Sequence, residues 1–434
     1  MAVVRVAPVP LLRGSVQVPP DKSLTHRALL LAAIGDREVA ISRPLDSEDT
    51  GATLGLVEAC RVPVSGHLGD AVRVSGRGLR GLRPPPALDC GNAGTLMRLV
   101  AGILAGQASA HVVLDGDDSL RGRPMSRVAT PLRAMGAQVF TAPGGTPPMV
   151  VSGGGALRGV EHRLQVASAQ VKSCLLLAGL YAEGTTWVHE PAPSRDHTER
   201  MLEAAGVAVL REGGAVGVTG PVDGLALPDM EVPGDFSSSA ALLVAGALIG
   251  DPEVRLPGVN LNPGRTGLIG VMRRMGVDVR EEAAPDVAGE PCGTLVVARS
   301  EGLRATEVAP GEVPSMIDEL PLVGLLGAFA SGTTVVRGAA ELRVKESDRI
   351  ATVVAALRAM GAEAEEREDG FAVTGSGSLR GGEVGSHGDH RLAMLGAVAG
   401  LVSGEGVVVS GFEAVAVSYP GFARDLAALG AVPA

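Results

Sequence analysis

One phrase returns along this chain: a helical stretch opening on Leu or Met, closed by a glycine, and followed at once by a short apolar strand. It reads Leu132 to Val139, Leu202 to Val209, Met272 to Val279, Leu357 to Ala364 and Leu426 to Val432. A weaker first copy runs from Leu56 to Val62, with Cys60 in the place of the glycine. The glycines (Gly136, Gly206, Gly276, Gly361 and Gly430) recur at roughly 70-residue intervals with one longer gap, which marks a supersecondary repeat. Glycine is the usual left-handed stop after a last helical turn, so each copy predicts a helix end and a strand start. β-Branched phrases at Thr185–His189, Thr333–Arg337 and Val407–Ser410 repeat in step with it. Helices and strands in equal alternation place the fold in the α/β or α+β class. At 434 residues the chain exceeds one ordinary core, and six units suit two domains of three. The boundary falls at Val232–Ser239, where turn residues precede candidate caps Asp235 and Ser237 and then an apolar helix, Ala240–Ile249.

Composition excludes several functions. One Trp, two Tyr and six Phe leave few platforms for stacking on bases, and a net charge of −10 argues against a general polyanion binder. An anionic ligand would need a local basic pocket. The four cysteines form no C-x-x-C pair and have no zinc-like spacing to histidine, which predicts a reducing compartment and no structural metal. Met1 to Pro10 lacks a signal layout, and the longest apolar runs reach about half of the ~20 residues a membrane span needs. The expectation is a cytoplasmic protein with no membrane and no nucleic-acid partner.

The basic residues are unusual: three lysines stand against thirty-five arginines. Lysine adds a compact ammonium and a pKa that burial can lower, so the survivors Lys22, Lys172 and Lys345 are candidates for proton transfer or phosphate contact. Lys22 and Ser23 open a helix, and Arg27 lies one turn on; Ser23 can cap it, and the helix start favours a carboxylate or phosphate. A plain capped, charged helix start reads the same way. Asp89–Arg98 carries Gly91 and Gly94 ahead of another helix but lacks the P-loop ending. Arg121 and Arg123 fit a bidentate anion clamp or a solvated loop. Ser168-Ala169-Gln170 before Lys172, and Ser194-Arg195-Asp196-His197, place hydroxyls and an amide at helix starts, as a phosphate site or as capping. Asp318-Glu319 and Lys345-Glu346-Ser347-Asp348-Arg349 set acids beside apolar groups and cations, a setting for acid–base work or, for the second, a salt-bridge ladder. Asp389-His390-Arg391 starts a helix as a cleft-facing cation or a structural cluster.

Taken together and in this order, Asp21–Arg27, Gly91–Thr95, Arg123-Pro124, Ser168–Gln170, Arg343–Arg349 and Asp389–Arg391 resemble the 5-enolpyruvylshikimate-3-phosphate (EPSP) synthase family, across the whole chain. The resemblance implies a two-domain enolpyruvyl-transferase fold of six βαβαββ repeats, three per domain. One domain would hold residues 1–19 and 235–434, the other 20–234, with the active site in the cleft between them. It implies transfer of the enolpyruvyl group of phosphoenolpyruvate to the 5-hydroxyl of shikimate 3-phosphate, in chorismate and aromatic amino acid biosynthesis, by a monomeric glyphosate target needing no cofactor or metal. Ser23 and Arg27 would hold the shikimate carboxylate. Ser168, Ser194 and Lys345 would hold its phosphate, beside Ala169 and Gln170. Arg123, Arg349, Arg391 and the backbone at Gly94 would hold phosphoenolpyruvate, which Gln170 would also meet. Lys22 would touch both substrates, Asp318 would take the hydroxyl proton, and Glu346 with Lys22 would protonate the methylene carbon. The chain departs from the family at Ala169, Glu341 and Val417. Two alternatives are the sister enzyme acting on UDP-N-acetylglucosamine, which usually has a cysteine in the loop matching Asp115–Arg123, and a silent phosphoester-binding protein on the same scaffold. Retention of Lys22, Asp318 and Glu346 speaks against the silent reading.

Overall fold

The computed structural model describes residues 2–108 and 110–431; Met1 and Val432, named above, lie outside them. The chain divides into two compact units. One comprises Met1–Pro19, Pro233–Pro285 and Pro291–Ala434, and the other Pro20–Val232 with Asp286–Glu290.

Within the second unit the three sheets share one plan. Ala87–Asp89 lies parallel to His111–Asp115, which pairs antiparallel with Met149–Ser152, and Gln138–Thr141 forms the far edge. Glu161–Arg163, Gly184–His189, Ala215–Gly220 and Val209–Glu212 repeat that order. In the third sheet Glu38–Ser42, Ala71–Ser75 and Val64–Gly66 keep their places, but the leading strand, Met230–Glu231, comes from the far end of the segment.

The first unit follows the same plan with Glu307–Val308, Gly332–Val336, Gly370–Gly375 and Glu363–Arg367. Its second sheet is led by Leu12–Ser15, parallel to Gly250–Asn260, although more than two hundred residues separate them in the chain. Its third, three-stranded among the described residues, pairs Val3–Val6 antiparallel with Val407–Ser410, which lies parallel to Gly382–Gly385. Parallel strands need a crossover, and within the repeats it contains a helix, as the βαβαββ unit requires.

The repeated phrase closes each second helix identically. The amides of Ala137, Val207, Val277, Ala362 and Ala431 donate to the carbonyls of Leu132, Leu202, Met272, Leu357 and Leu426, five residues back. The intervening glycines take φ values from +88° to +104°, which is the Schellman stop. In the first copy Val62 donates to Val57, and Arg61 takes the left-handed φ of +65°. That copy is therefore offset by one residue from the sequence reading: Arg61, not Cys60, matches the glycine.

Helices buried on nearly every side form the two cores. Phe236–Ile249, Leu320–Phe329 and His390–Val402 serve the first unit, and Lys22–Ala33, Gly94–Ala105 and Ala169–Gly179 the second. Several begin earlier than the apolar run suggests, because polar residues of the first turn are also buried or half-buried. A Cβ on Gly102 would lie 2.2 Å from the Cys174 carbonyl oxygen. Glycine there lets two helices approach closely, which brings Thr95 and Arg98 beside Gln170. Among the described residues no helix is long and apolar enough to cross a membrane.

Candidate active site

In the second unit, Lys22–Ala33 is capped by Asp21, whose Oδ1 accepts from the Leu24 amide at 2.9 Å. Ser23, the cap suggested by sequence, sits instead in the first turn. Lys22 Nζ pairs with Asp49 Oδ2 at 3.0 Å and keeps 26% of its side chain exposed. Burial alone would raise the Asp49 pKa, but Lys22 together with His26 and Arg123 holds the carboxyl below its usual range. His26 is fully buried, meets Thr53 Oγ1 at 2.6 Å, and is pushed down to about 3 by desolvation. Arg27 is buried among hydroxyls and a carbonyl. Its Nε donates to Thr198 Oγ1 at 2.8 Å, Nη2 to Ser173 Oγ at 2.9 Å and Nη1 to the Ser23 carbonyl at 3.0 Å. Desolvation lowers its pKa to about 10, with Glu199 opposing.

Two further helix starts gather in the same unit. Ser168 caps Ala169–Gly179 by accepting from the Val171 amide. One oxygen, Glu190 Oε1, accepts both the Ser168 amide at 3.1 Å and the Ser194 hydroxyl at 2.6 Å. Lys172 is not free to meet a ligand: its Nζ lies 2.8 Å from both Glu190 Oε2 and Glu199 Oε1, with 3% of its side chain exposed. Gln170 Nε2 donates to Thr95 Oγ1 at 2.9 Å and its Oε1 accepts from Arg98 at 2.5 Å. Gly94–Ala105 has no side-chain cap among the described residues. A Cβ on Gly94 would lie 3.1 Å from Arg98 Nη1 and 3.2 Å from Arg123 Nη1, so two guanidinium groups flank this helix start. Positive dipole and two cations suit it to an anion. Arg123 leans on Asn92 Oδ1 at 2.6 Å, whereas Arg121 is taken up by Asp115 through two bonds. The two arginines thus form no common clamp.

In the first unit the site residues converge on Arg349. This side chain is 2% exposed and ion-paired three ways: to Asp389 at 2.8 Å, Glu346 at 2.7 Å and Asp318 at 3.1 Å. Burial would lower its pKa, but Glu346, Asp389 and Asp318 reverse this and raise it. Lys345 Nζ stands 3.7 Å from the same Asp318 oxygen. The Lys345–Arg349 motif divides between both of its sequence readings. Asp348 caps Arg349–Ala359 and pairs with Arg343, while Glu346 joins Arg349. Asp389 likewise caps His390–Val402, accepting from the Arg391 amide. Arg391 Nη1 donates to the Ser237 carbonyl at 2.9 Å and approaches buried Glu319 at 3.9 Å. A small cavity lined by Ser237, Ala241, Asp318 and Arg391 opens beside it. Asp235, the cap of Phe236–Ile249, receives Arg265; that cation and Arg391 outweigh burial and lower its pKa.

Sequence reasoning passed over Asp49, Glu190, Glu199, Arg98 and Arg265. Arg98 stood one helical turn beyond Gly94, a signal that was available; the acids are partnered only through distant segments.

The family model described as EPSP synthase (3-phosphoshikimate 1-carboxyvinyltransferase) matches residues 6–426. A 3-phosphoshikimate 1-carboxyvinyltransferase of Synechococcus sp. (strain JA-3-3Ab) is 45% identical over 98% of this chain and 96% of its own length. One from Thermus thermophilus is 47% identical over 97% of each chain. A solved EPSP synthase of Acinetobacter baumannii is 40% identical, with a TM-score of 0.90 over 100% of this chain and 99% of that one.

Proposed function

The chain belongs to the EPSP synthase family, and from that premise we propose that it transfers the enolpyruvyl group of phosphoenolpyruvate to the 5-hydroxyl of shikimate 3-phosphate, releasing phosphate. One observation supports the assignment of parts most strongly. Residues from separate segments are brought together within each unit: Lys22 pairs with Asp49, Ser168 and Ser194 share Glu190, and Asp318 and Glu346 share Arg349.

In this reading both sets serve one pair of substrates. Arg27 and Ser23 take the shikimate carboxylate, and Ser168, Ser194 and Lys345 its phosphate, with Ala169 and Gln170 along the ring. The uncapped helix start at Gly94, Arg123, Arg349 and Arg391 hold phosphoenolpyruvate, with Gln170 and Lys22 beside it. Asp318 accepts the proton of the 5-hydroxyl as its oxygen bonds to C2 of phosphoenolpyruvate. Glu346 with Lys22 delivers a proton to the methylene carbon, giving a tetrahedral adduct. Loss of phosphate from C2 and of one methyl proton then restores the enol ether. General acid–base help of this kind is worth about 10²–10⁴-fold, and fixed cations stabilise charge on the departing phosphate without reorganising.

The test is phosphate release on mixing the protein with both substrates. Release only when UDP-N-acetylglucosamine replaces shikimate 3-phosphate would assign the sister activity. Binding without release would assign a silent phosphoester-binding protein.

A further inference from the structure

We propose that Glu190, braced by Lys172, is a positioning residue that sets the grip on the substrate's 3-phosphate. This rests on the reading that Ser168 and Ser194 take that phosphate, and it adds a residue to which neither motif nor family resemblance assigned a part.

Ser168 precedes Ala169–Gly179, and Ser194 lies in the loop after the strand Gly184–His189. These segments are not neighbours in the chain, so the distance between the two serines must be set by a cross-link. Glu190 provides it with a single atom: Oε1 accepts the amide of one serine and the hydroxyl of the other. Lys172 adds a second tie on the same loop, donating to the Ser194 carbonyl at 3.3 Å while its ammonium holds Glu190 Oε2. Ser194 is thereby fixed at both its hydroxyl and its backbone. Ser168 is fixed at its amide, and its own Oγ accepts from Val171, so its hydroxyl proton remains available to an anion.

A carboxylate beside a phosphate site is unfavourable unless its charge is answered. Lys172 supplies that answer from the protein side; it also meets Glu199, whose pKa burial raises toward the neutral form, which leaves the ammonium to Glu190. Glu190 accepts the Ser194 hydroxyl as a phosphate oxygen would. The hydroxyl turns over to the phosphate on binding, and the loop keeps its place through the Lys172 tie.

Glutamine cannot do this. It has one acceptor oxygen where the carboxylate has two. If that oxygen faces the Lys172 ammonium, its NH₂ faces the Ser168 amide, donor against donor; reversed, the NH₂ faces the ammonium. In the first case the serines lose their shared acceptor; in the second they keep it, but Lys172 no longer braces it.

The experiment uses the full chain with E190Q, E190D and the S168A/S194A double substitution. Calorimetry gives the Kd of shikimate 3-phosphate and of shikimate, which lacks the phosphate; steady-state assays give kcat and both KM values. For E190Q we expect about a tenfold rise in Kd and KM for shikimate 3-phosphate, as for loss of one charge-assisted bond. Shikimate affinity, the KM of phosphoenolpyruvate and kcat should stay within about twofold, a split that general loosening of the fold would not produce. E190D keeps a charge for Lys172 on a shorter stem, so it should fold if E190Q does not and show a smaller loss confined to the phosphorylated ligand. Unchanged or tighter binding of shikimate 3-phosphate in both variants, or equal losses for all ligands, overturns the proposal. If S168A/S194A binds shikimate 3-phosphate as well as the parent does, the phosphate-site reading itself fails. If that variant binds weakly while both Glu190 variants bind normally, only the brace is wrong.

Discussion

Arg27 and Arg349 are both buried guanidinium groups in site motifs, one in each unit, and their surroundings are opposite. Arg27 is met by two hydroxyls and a carbonyl, and burial lowers its pKa to about 10. Arg349 is met by three carboxylates, which raise its pKa in spite of burial. A cation held by neutral dipoles keeps its charge available and suits an anionic ligand. A cation already matched by acids orders those acids, and two of them, Asp318 and Glu346, are the ones proposed to move protons. Of these two side chains, Arg27 is thus the freer cation and Arg349 the one that also orders acids.

The largest expected effect tests this contrast directly. Arg349→Met strands three acids, including Asp389, which is fully buried; unfolding in urea should show a loss of about 3–5 kcal/mol. Arg27→Met strands no directly paired acid, only hydroxyls and a carbonyl, with Glu199 acting on it from farther off, so about 1–3 kcal/mol is expected. Equal losses would erase the distinction. Next comes Asp318→Asn, for which kcat should fall by about 10²–10⁴-fold. Calorimetric affinity for shikimate 3-phosphate should change little, and a loss in binding alone would move Asp318 out of the proton-transfer set.

A third effect appears with pH. His26 titrates at about 3 in the folded chain, because burial disfavours its charged form, and near 6.5 when unfolded. Between those values the unfolded chain binds more protons, so stability rises with pH. It should decline by about 1.4 kcal/mol per unit as pH falls from 6.5 towards 3. Asp49, also depressed, adds to the loss at the acid end with the same sign. His26→Asn should flatten the slope in urea titrations at successive pH values; an unchanged slope would show that the ring does not charge on unfolding. The smallest effect concerns Arg61, in the left-handed region at φ +65°. Arg61→Gly should raise the melting temperature, reflecting about 1 kcal/mol of relieved backbone cost.

Much of this was legible in the chain because its signals are local. A glycine one residue past a helix, a hydroxyl or acid before it, and a rare lysine all announce themselves within a few positions. Gly136 through Gly430 marked the repeat, and the motifs at Lys22, Gly94, Ser168 and Asp389 marked helix starts that the fold does contain. What stayed hidden depends on partners brought from afar. Asp21 rather than Ser23 caps its helix because the helix begins at Lys22, two residues earlier than a Ser23 cap requires. Lys172 resembled a ligand contact, and two acids 18 and 27 positions away absorb it. Glu190 carries no motif, and its importance lies in which two serines it joins.

The strand Val3–Val6 pairs with Val407–Ser410, and this has a consequence for a chain that emerges from a ribosome one end first. The segment Pro20–Val232 contains nearly everything its own unit needs and can settle while translation continues. The opening residues must wait, unpaired, for a mate made some four hundred residues later, so premature termination anywhere upstream leaves that first strand with an open edge.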